Sequence, residues 1–118
     1  CALPILMTAE VGFSAESAPR PDRYTALVPK ERAARGLAIR NRRPGDRLKP
    51  SAAGHRKLQD VLVDRKVPIA ERDRVPIVTD PDGRIVWVVG HAFDWDFRVS
   101  DPSEAVVVLK FKGVGGSF

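Results

Sequence analysis

Cysteine is nearly absent from this chain. Cys1 is the single thiol, so no internal disulfide can form, and nothing argues for a secreted, disulfide-stapled scaffold. No apolar run approaches the ~20 residues that a bilayer-spanning helix needs. The two histidines, His55 and His91, form no zinc-ligand spacing with the terminal cysteine. No Gly-rich loop ends in Gly-Lys-Ser/Thr, and no serine stands in a nucleophile elbow. Asp60 and Asp64 share a helix face, but carboxylates four residues apart beside cations read as salt-bridge partners, not as an acid–base pair. No catalytic residue and no metal ligand is expected.

Basic residues, by contrast, are abundant and concentrated. Between Arg40 and Lys66 stand nine Arg or Lys (40, 42, 43, 47, 49, 56, 57, 65, 66) against three Asp, a surplus of six in a chain of net charge +5. The remainder is slightly acidic, so the basic character is local. Such a block reads either as a surface for a polyanion, usually nucleic acid, or as a solvated face in which Arg56 and Lys57 pair with Asp60. With 118 residues, 43% hydrophobic and 30% charged, the composition is that of one ordinary globular domain.

The chain does not begin with Met, and Cys1–Leu6 makes a poor signal peptide. The expectation is a C-terminal fragment of a longer protein, whose first residues are either native sequence or a scar. Residues 1–34 are expected to be a linker or the end of a preceding domain, with short strands at Met7–Phe13 and Tyr24–Val28 and a polar, Pro-containing loop from Ser14 to Arg23. Pro29–Arg35 suits a single helical turn. Leu37, Ile39 and Asn41 alternate with Ala38, Arg40 and Arg42, a strand pattern that places arginines on one face. Pro44-Gly45 marks a turn, in which Asp46 holds the backbone and orients an arginine. Leu58, Val61, Leu62 and Arg65 share one face of the clearest helix, stopped at Val67-Pro68, and Pro68–Arg74 is a second short helix. Asp80–Gly83 separates two strands of a hairpin, the second being Arg84–Val89. Further strands are expected at Phe93–Val99 and Ala105–Phe111, and a frayed tail at 113–118. The fold class is α+β: a mostly antiparallel sheet or small β-sandwich with one or two short central helices.

Several short motifs, in order, resemble a known family. Arg40-x-Arg42-Arg43-Pro44-Gly45-Asp46-Arg47 is followed by Arg56-Lys57-Leu58-Gln59-Asp60, Asp64-x-Lys66-Val67-Pro68, Arg72-Asp73-x-Val75-Pro76 and Ile85-x-Trp87-Val88-Val89-Gly90. Together they look like the C-terminal domain of bacterial tRNA(Ile)-lysidine synthetase over about Leu37–Phe111. The resemblance implies a cytoplasmic ATP-dependent ligase that attaches lysine to the wobble cytidine of the CAU-anticodon isoleucine tRNA. ATP and magnesium belong to its N-terminal catalytic domain, whose Ser-Gly-Gly-x-Asp-Ser loop is absent here. The domain itself, 35–112, is then a non-catalytic part that recognises the acceptor region of the tRNA. The alternative is a structural or dimerisation domain of the same enzyme. Its partners are the tRNA, the catalytic domain and, in the alternative, a second copy; no membrane is implied. After Gly90 the sequence departs from the family, with Ala92 and Asp96 where basic residues are common.

The expected RNA contacts are Arg40, Arg42, Arg43, Arg47, Lys49, Arg56, Lys57, Lys66 and Arg72. Lys66, Arg72 and Arg74 equally suit pairing with Asp64, Glu71 or Asp73. Pro44, Gly45, Asp46, Leu58, Asp60, Pro68, Trp87 and Gly90 are expected to be structural. His55 reads as a phosphate contact or as a plain exposed histidine, and Trp95 as a weakly placed base-stacking residue between two aspartates.

Overall fold

An apolar run centred on three β-branched valines, Ala105-Val-Val-Val-Leu109, forms the strand on which β-strands from the N-terminal part of the chain assemble. The computed structural model describes residues 5–22 and 24–113; expectations for 1–4 and 114–118 lie outside the described residues. Strand β1 (Ile5–Ser14) and strand β2 (Thr25–Pro29) flank the C-terminal strand β9 (Ala105–Gly113) in an antiparallel sheet of order β1-β9-β2. Both strands within 1–34, the stretch expected to be a linker or the end of a preceding domain, thus pair with the C-terminal strand. The short strand foreseen at Met7–Phe13 acquires its partner from the far end of the chain, which no local turn signal announces. Between them, the Ala15 and Glu16 N–H groups donate to Glu104 O and Pro102 O at 2.9 and 2.8 Å, tying the Ser14–Asp22 loop down.

Helix α1 (Lys30–Ala33) is the single turn begun after Pro29. Strand β3 (Ala38–Arg40) opens a second sheet of order β3-β6-β7-β8, with β6 (Ile77–Thr79), β7 (Ile85–Val88) and β8 (Ala92–Phe93). Strands β4 (Arg47–Ser51) and β5 (Gly54–Lys57) make a separate hairpin, which leads into α2 (Leu58–Asp64) and α3 (Ile69–Arg72). Every pairing between described strands is antiparallel, and the helices are short, so the α+β class holds. One expected strand is corrected. Of Phe93–Val99 only Phe93, the last residue of β8, is strand, and a 3-10 turn follows at Trp95–Phe97. Asp94 causes the break, since its carboxylate accepts the Asp96 N–H at 2.9 Å and bends the backbone out of the sheet.

Strand β7 is buried on both faces, which explains its unbroken apolar run. Val86 and Trp87 join Val28, Phe97, Leu109 and Phe111 in one core cluster. Trp87 meets Phe111 edge-on at 6.3 Å. Ile85 and Val88 join Leu48, Leu58, Val61, Leu62 and Ile77 in a second cluster beneath α2. Leu58, Val61 and Leu62 thus fill the core as the helical spacing predicts, and α2 is held with its other face outward.

Candidate nucleic-acid interface

The Arg43–Asp46 turn is built by its own residues. Proline sets φ at the second position and Gly45 takes φ +85° at the third, the arrangement of a type II turn, closed by Asp46 N–H donating to Arg43 O at 3.2 Å. The Asp46 carboxylate accepts the Arg43 N–H at 2.7 Å and two hydrogen bonds from the Arg40 guanidinium, both at 2.9 Å. The Asp46 carbonyl accepts Leu58 N–H at 2.8 Å, pinning the turn against the start of α2. Partial burial pushes the Asp46 carboxyl up, but the hydrogen bonds and charges of Arg40 and Arg43 outweigh it and hold the group below the ordinary carboxylate range. The expected role of Asp46 as turn-holder is what this geometry describes.

The nine expected contact residues divide into two sets. Arg40 lies half-buried on Asp46, and β3 ends at it, so Arg40 and Arg42 do not line one strand face. Arg42 pairs with Asp73 at 2.7 Å. Arg56 lies in β5 rather than in the helix and pairs with Asp64 at 2.6 Å, not with Asp60. Arg72 donates to Val67 O at 3.0 Å, and Lys49 reaches Asp96 at 3.3 Å. Those five side chains are engaged within the domain. The side chains of the other four, Arg43, Arg47, Lys57 and Lys66, are exposed and make no hydrogen bond or ion pair among the described residues. Arg65 and Arg74 share that condition. Arg65 counted in the sequence as one of the basic block and as the cation ending a helix stripe; its exposure beyond the last turn marks it as a surface charge.

Arg47 and Lys57 stand directly opposite each other across the β4–β5 pair. Leu48 is buried, so Arg47 lies on the outer face. Like charges in register across two strands repel each other, and no described carboxylate relieves this pair. With Arg43 one turn away, the three cations form a positive surface held by the Asp46 anchor and by the core beneath α2.

The segment after Gly90 has a different character. Asp94 is buried and accepts Lys49 N–H at 3.0 Å and Asp96 N–H at 2.9 Å. Asp96 binds Arg84 at 2.9 Å, and this contact lowers its carboxyl while raising the Arg84 guanidinium. Arg84 and Arg32 both lie over the Phe97 ring, at 5.3 and 5.1 Å. Trp95 is covered by the Arg98 guanidinium 4.0 Å from its ring centre, so that face is taken within the domain. His55 is an exposed residue of β5. Trp87 is core, Gly90 has φ +84° with the Tyr24 ring 3.5 Å from where a Cβ would stand, and Asp60 is exposed. Pro68 precedes α3 as a helix-starting proline. Among the described residues, no group of three or more His, Cys, Asp or Glu is placed to hold a metal ion, and no helix is long and apolar enough to cross a membrane.

A family model described as the TilS substrate C-terminal domain matches residues 37–109. The chain belongs to this family. Its match to the crystal structure of a TilS C-terminal domain has a TM-score of 0.78 at 30% identity, covering 97% of this chain and 89% of that one. The shared fold therefore takes in β1 and β2 as well as the matched residues. A bifunctional TilS/HprT protein of Listeria monocytogenes serotype 4b is 38% identical over 85 residues, 69% of this chain and 13% of that protein. The tRNA(Ile)-lysidine synthases of Bacillus subtilis and Symbiobacterium thermophilum are 47% identical over 55 residues and 52% over 63. They are matched over 46% and 52% of this chain, and over 12% and 13% of their own lengths. The chain thus spans about an eighth of the length of these curated relatives.

Proposed function

We propose that this chain is the tRNA-recognition part of a cytoplasmic tRNA(Ile)-lysidine synthase. In this reading it binds the acceptor region of the CAU-anticodon isoleucine tRNA, while a separate catalytic part of the same protein uses ATP to attach lysine to the wobble cytidine. The sequence carries no phosphate-binding Gly-rich loop, and in this reading ATP belongs to that separate catalytic part. The chain's contribution is to bind and orient. A-form RNA offers side chains a shallow minor groove and rows of phosphates, so a basic surface recognises it largely by shape. The observation that carries the proposal is the unrelieved Arg47–Lys57 pair beside Arg43. Phosphates placed between those cations would remove their repulsion, with arginine suited to forked contacts and lysine to a point charge.

The test is binding of this chain to the tRNA, and to a minihelix of its acceptor stem, across a salt series. Charge reversal of Arg43, Arg47 and Lys57 to Glu is expected to weaken minihelix binding by at least about tenfold and to flatten the salt dependence by roughly 2–3 logarithmic units per decade. Unchanged affinity in a folded triple variant would refute the proposal. It would favour the architectural reading, in which the domain packs on its parent enzyme or a second copy. One feature supports that reading: β1 is an outer strand ten residues long, with Val11 67% exposed.

A further inference from the structure

Lys66 is the one non-glycine residue with positive φ among those described, at +59°. It occupies the second position beyond the end of α2. The Val67 N–H donates to Leu62 O at 3.0 Å, and the Lys66 N–H to Val63 O at 2.9 Å. Those two bonds are the Schellman arrangement, and the apolar contact that accompanies it is present, since Leu62 and Val67 are both buried in the cluster beneath α2. Glycine fills this position best, because any Cβ crowds the neighbouring carbonyl in the left-handed conformation. A lysine therefore stands where the backbone disfavours it.

Nothing within the domain accounts for its presence. The side chain is exposed and has no partner among the described residues. Of the acids the sequence offers it, Asp64 pairs with Arg56 and Asp73 with Arg42, and Glu71 forms no ion pair with it. Arg65 beside it is equally unpartnered. Helix α2 has seven residues, so at 1.5 Å per residue the Lys66 end lies about 10 Å from the Lys57 end. We infer that Lys66 contacts an RNA phosphate, its charge retained despite backbone strain, and that the RNA surface runs along α2 from Arg43, Arg47 and Lys57 to Arg65 and Lys66. This inference rests on the RNA-binding reading above and adds a second group of phosphate contacts to it.

The experiment compares Lys66→Gly, Lys66→Arg and the Arg43/Arg47/Lys57 charge reversal, each in this full chain, by thermal unfolding and by binding to the acceptor-stem minihelix across a salt series. Lys66→Gly is expected to melt about 3–8 °C higher than the parent chain. It should also bind the minihelix three- to tenfold more weakly, with a salt slope about one unit shallower. Lys66→Arg, which keeps both charge and strain, should match the parent chain in both measurements. A Lys66→Gly chain that melts higher yet binds like the parent would overturn the inference, as would one that binds more weakly without being stabilised. If the charge reversal weakens binding and Lys66→Gly does not, the inference fails while the RNA reading stands. If neither does, both fail.

Discussion

Replacing Asp46 by alanine removes the acceptor of three hydrogen bonds at once: two from the Arg40 guanidinium at 2.9 Å and one from Arg43 N–H at 2.7 Å. The pair is well shielded, with 17% of the Arg40 side chain and 11% of the Asp46 side chain exposed. A fully exposed ion pair contributes about 0–1 kcal/mol, and removing one partner of a buried pair costs about 3–5 kcal/mol. Shielding of this degree places Asp46→Ala between them, nearer the upper range, at about 2–4 kcal/mol. That is a large share of the ~5–15 kcal/mol that holds a small domain together. Urea unfolding followed by the combined fluorescence of Trp87 and Trp95 would measure it. A double-mutant cycle with Arg40→Ala isolates the pair, and a coupling of at least about 1 kcal/mol is expected. The carboxyl is held below its ordinary value, so its contribution is complete at neutral pH and above the unfolded value of ~3.9. It is lost as pH falls through the lower folded value. The parent chain should therefore lose stability below about pH 4, and Asp46→Ala should lose less over the same interval. A cost below about 1 kcal/mol with no coupling to Arg40 would refute the anchoring role.

Two other substitutions test the scaffold that carries the basic surface. Asp94→Ala leaves the part-buried Lys49 and Asp96 N–H groups without their acceptor and unties β4 from the 3-10 turn; a loss of about 2–4 kcal/mol by urea unfolding is expected, and a near-neutral result would show that water replaces the carboxylate. Leu62→Ala empties the centre of the cluster beneath α2, where Leu62 is fully buried, at a cost of about 2–5 kcal/mol. Its ability to bind the minihelix below the lowered melting temperature should be retained, because Leu62 is wholly within the core and presents nothing to the surface.

The elements legible in the sequence are those whose cause is local. Pro44-Gly45 needs only a proline-fixed φ and a glycine at positive φ. The stripe of Leu58, Val61 and Leu62 needs only helical spacing, and Asp80–Gly83 needs only turn-forming residues between two β-branched runs. Even Asp46 was legible, because the arginine it holds lies six residues away. The Phe93–Val99 strand was misread because one aspartate, Asp94, supplies its neighbours with hydrogen bonds that compete with the sheet.

The basic block could be located from charge alone, but not resolved into its two sets of residues. Arg42 finds Asp73 across 31 positions, and Lys49 finds Asp96 across 47. Nothing in the neighbouring sequence marks those carboxylates as partners. The same holds for β1, whose Ile5–Ser14 pairs with Gly113–Ala105 at the other end of the chain. Local periodicity and turn chemistry act over a few residues, so they determined the elements and the sign of the surface. Strand register and the packing of β4–β5 and α2 on the core act across the whole chain. They alone decided which cations are neutralised within the domain and which, Arg43, Arg47, Lys57 and Lys66 among them, are left facing outward.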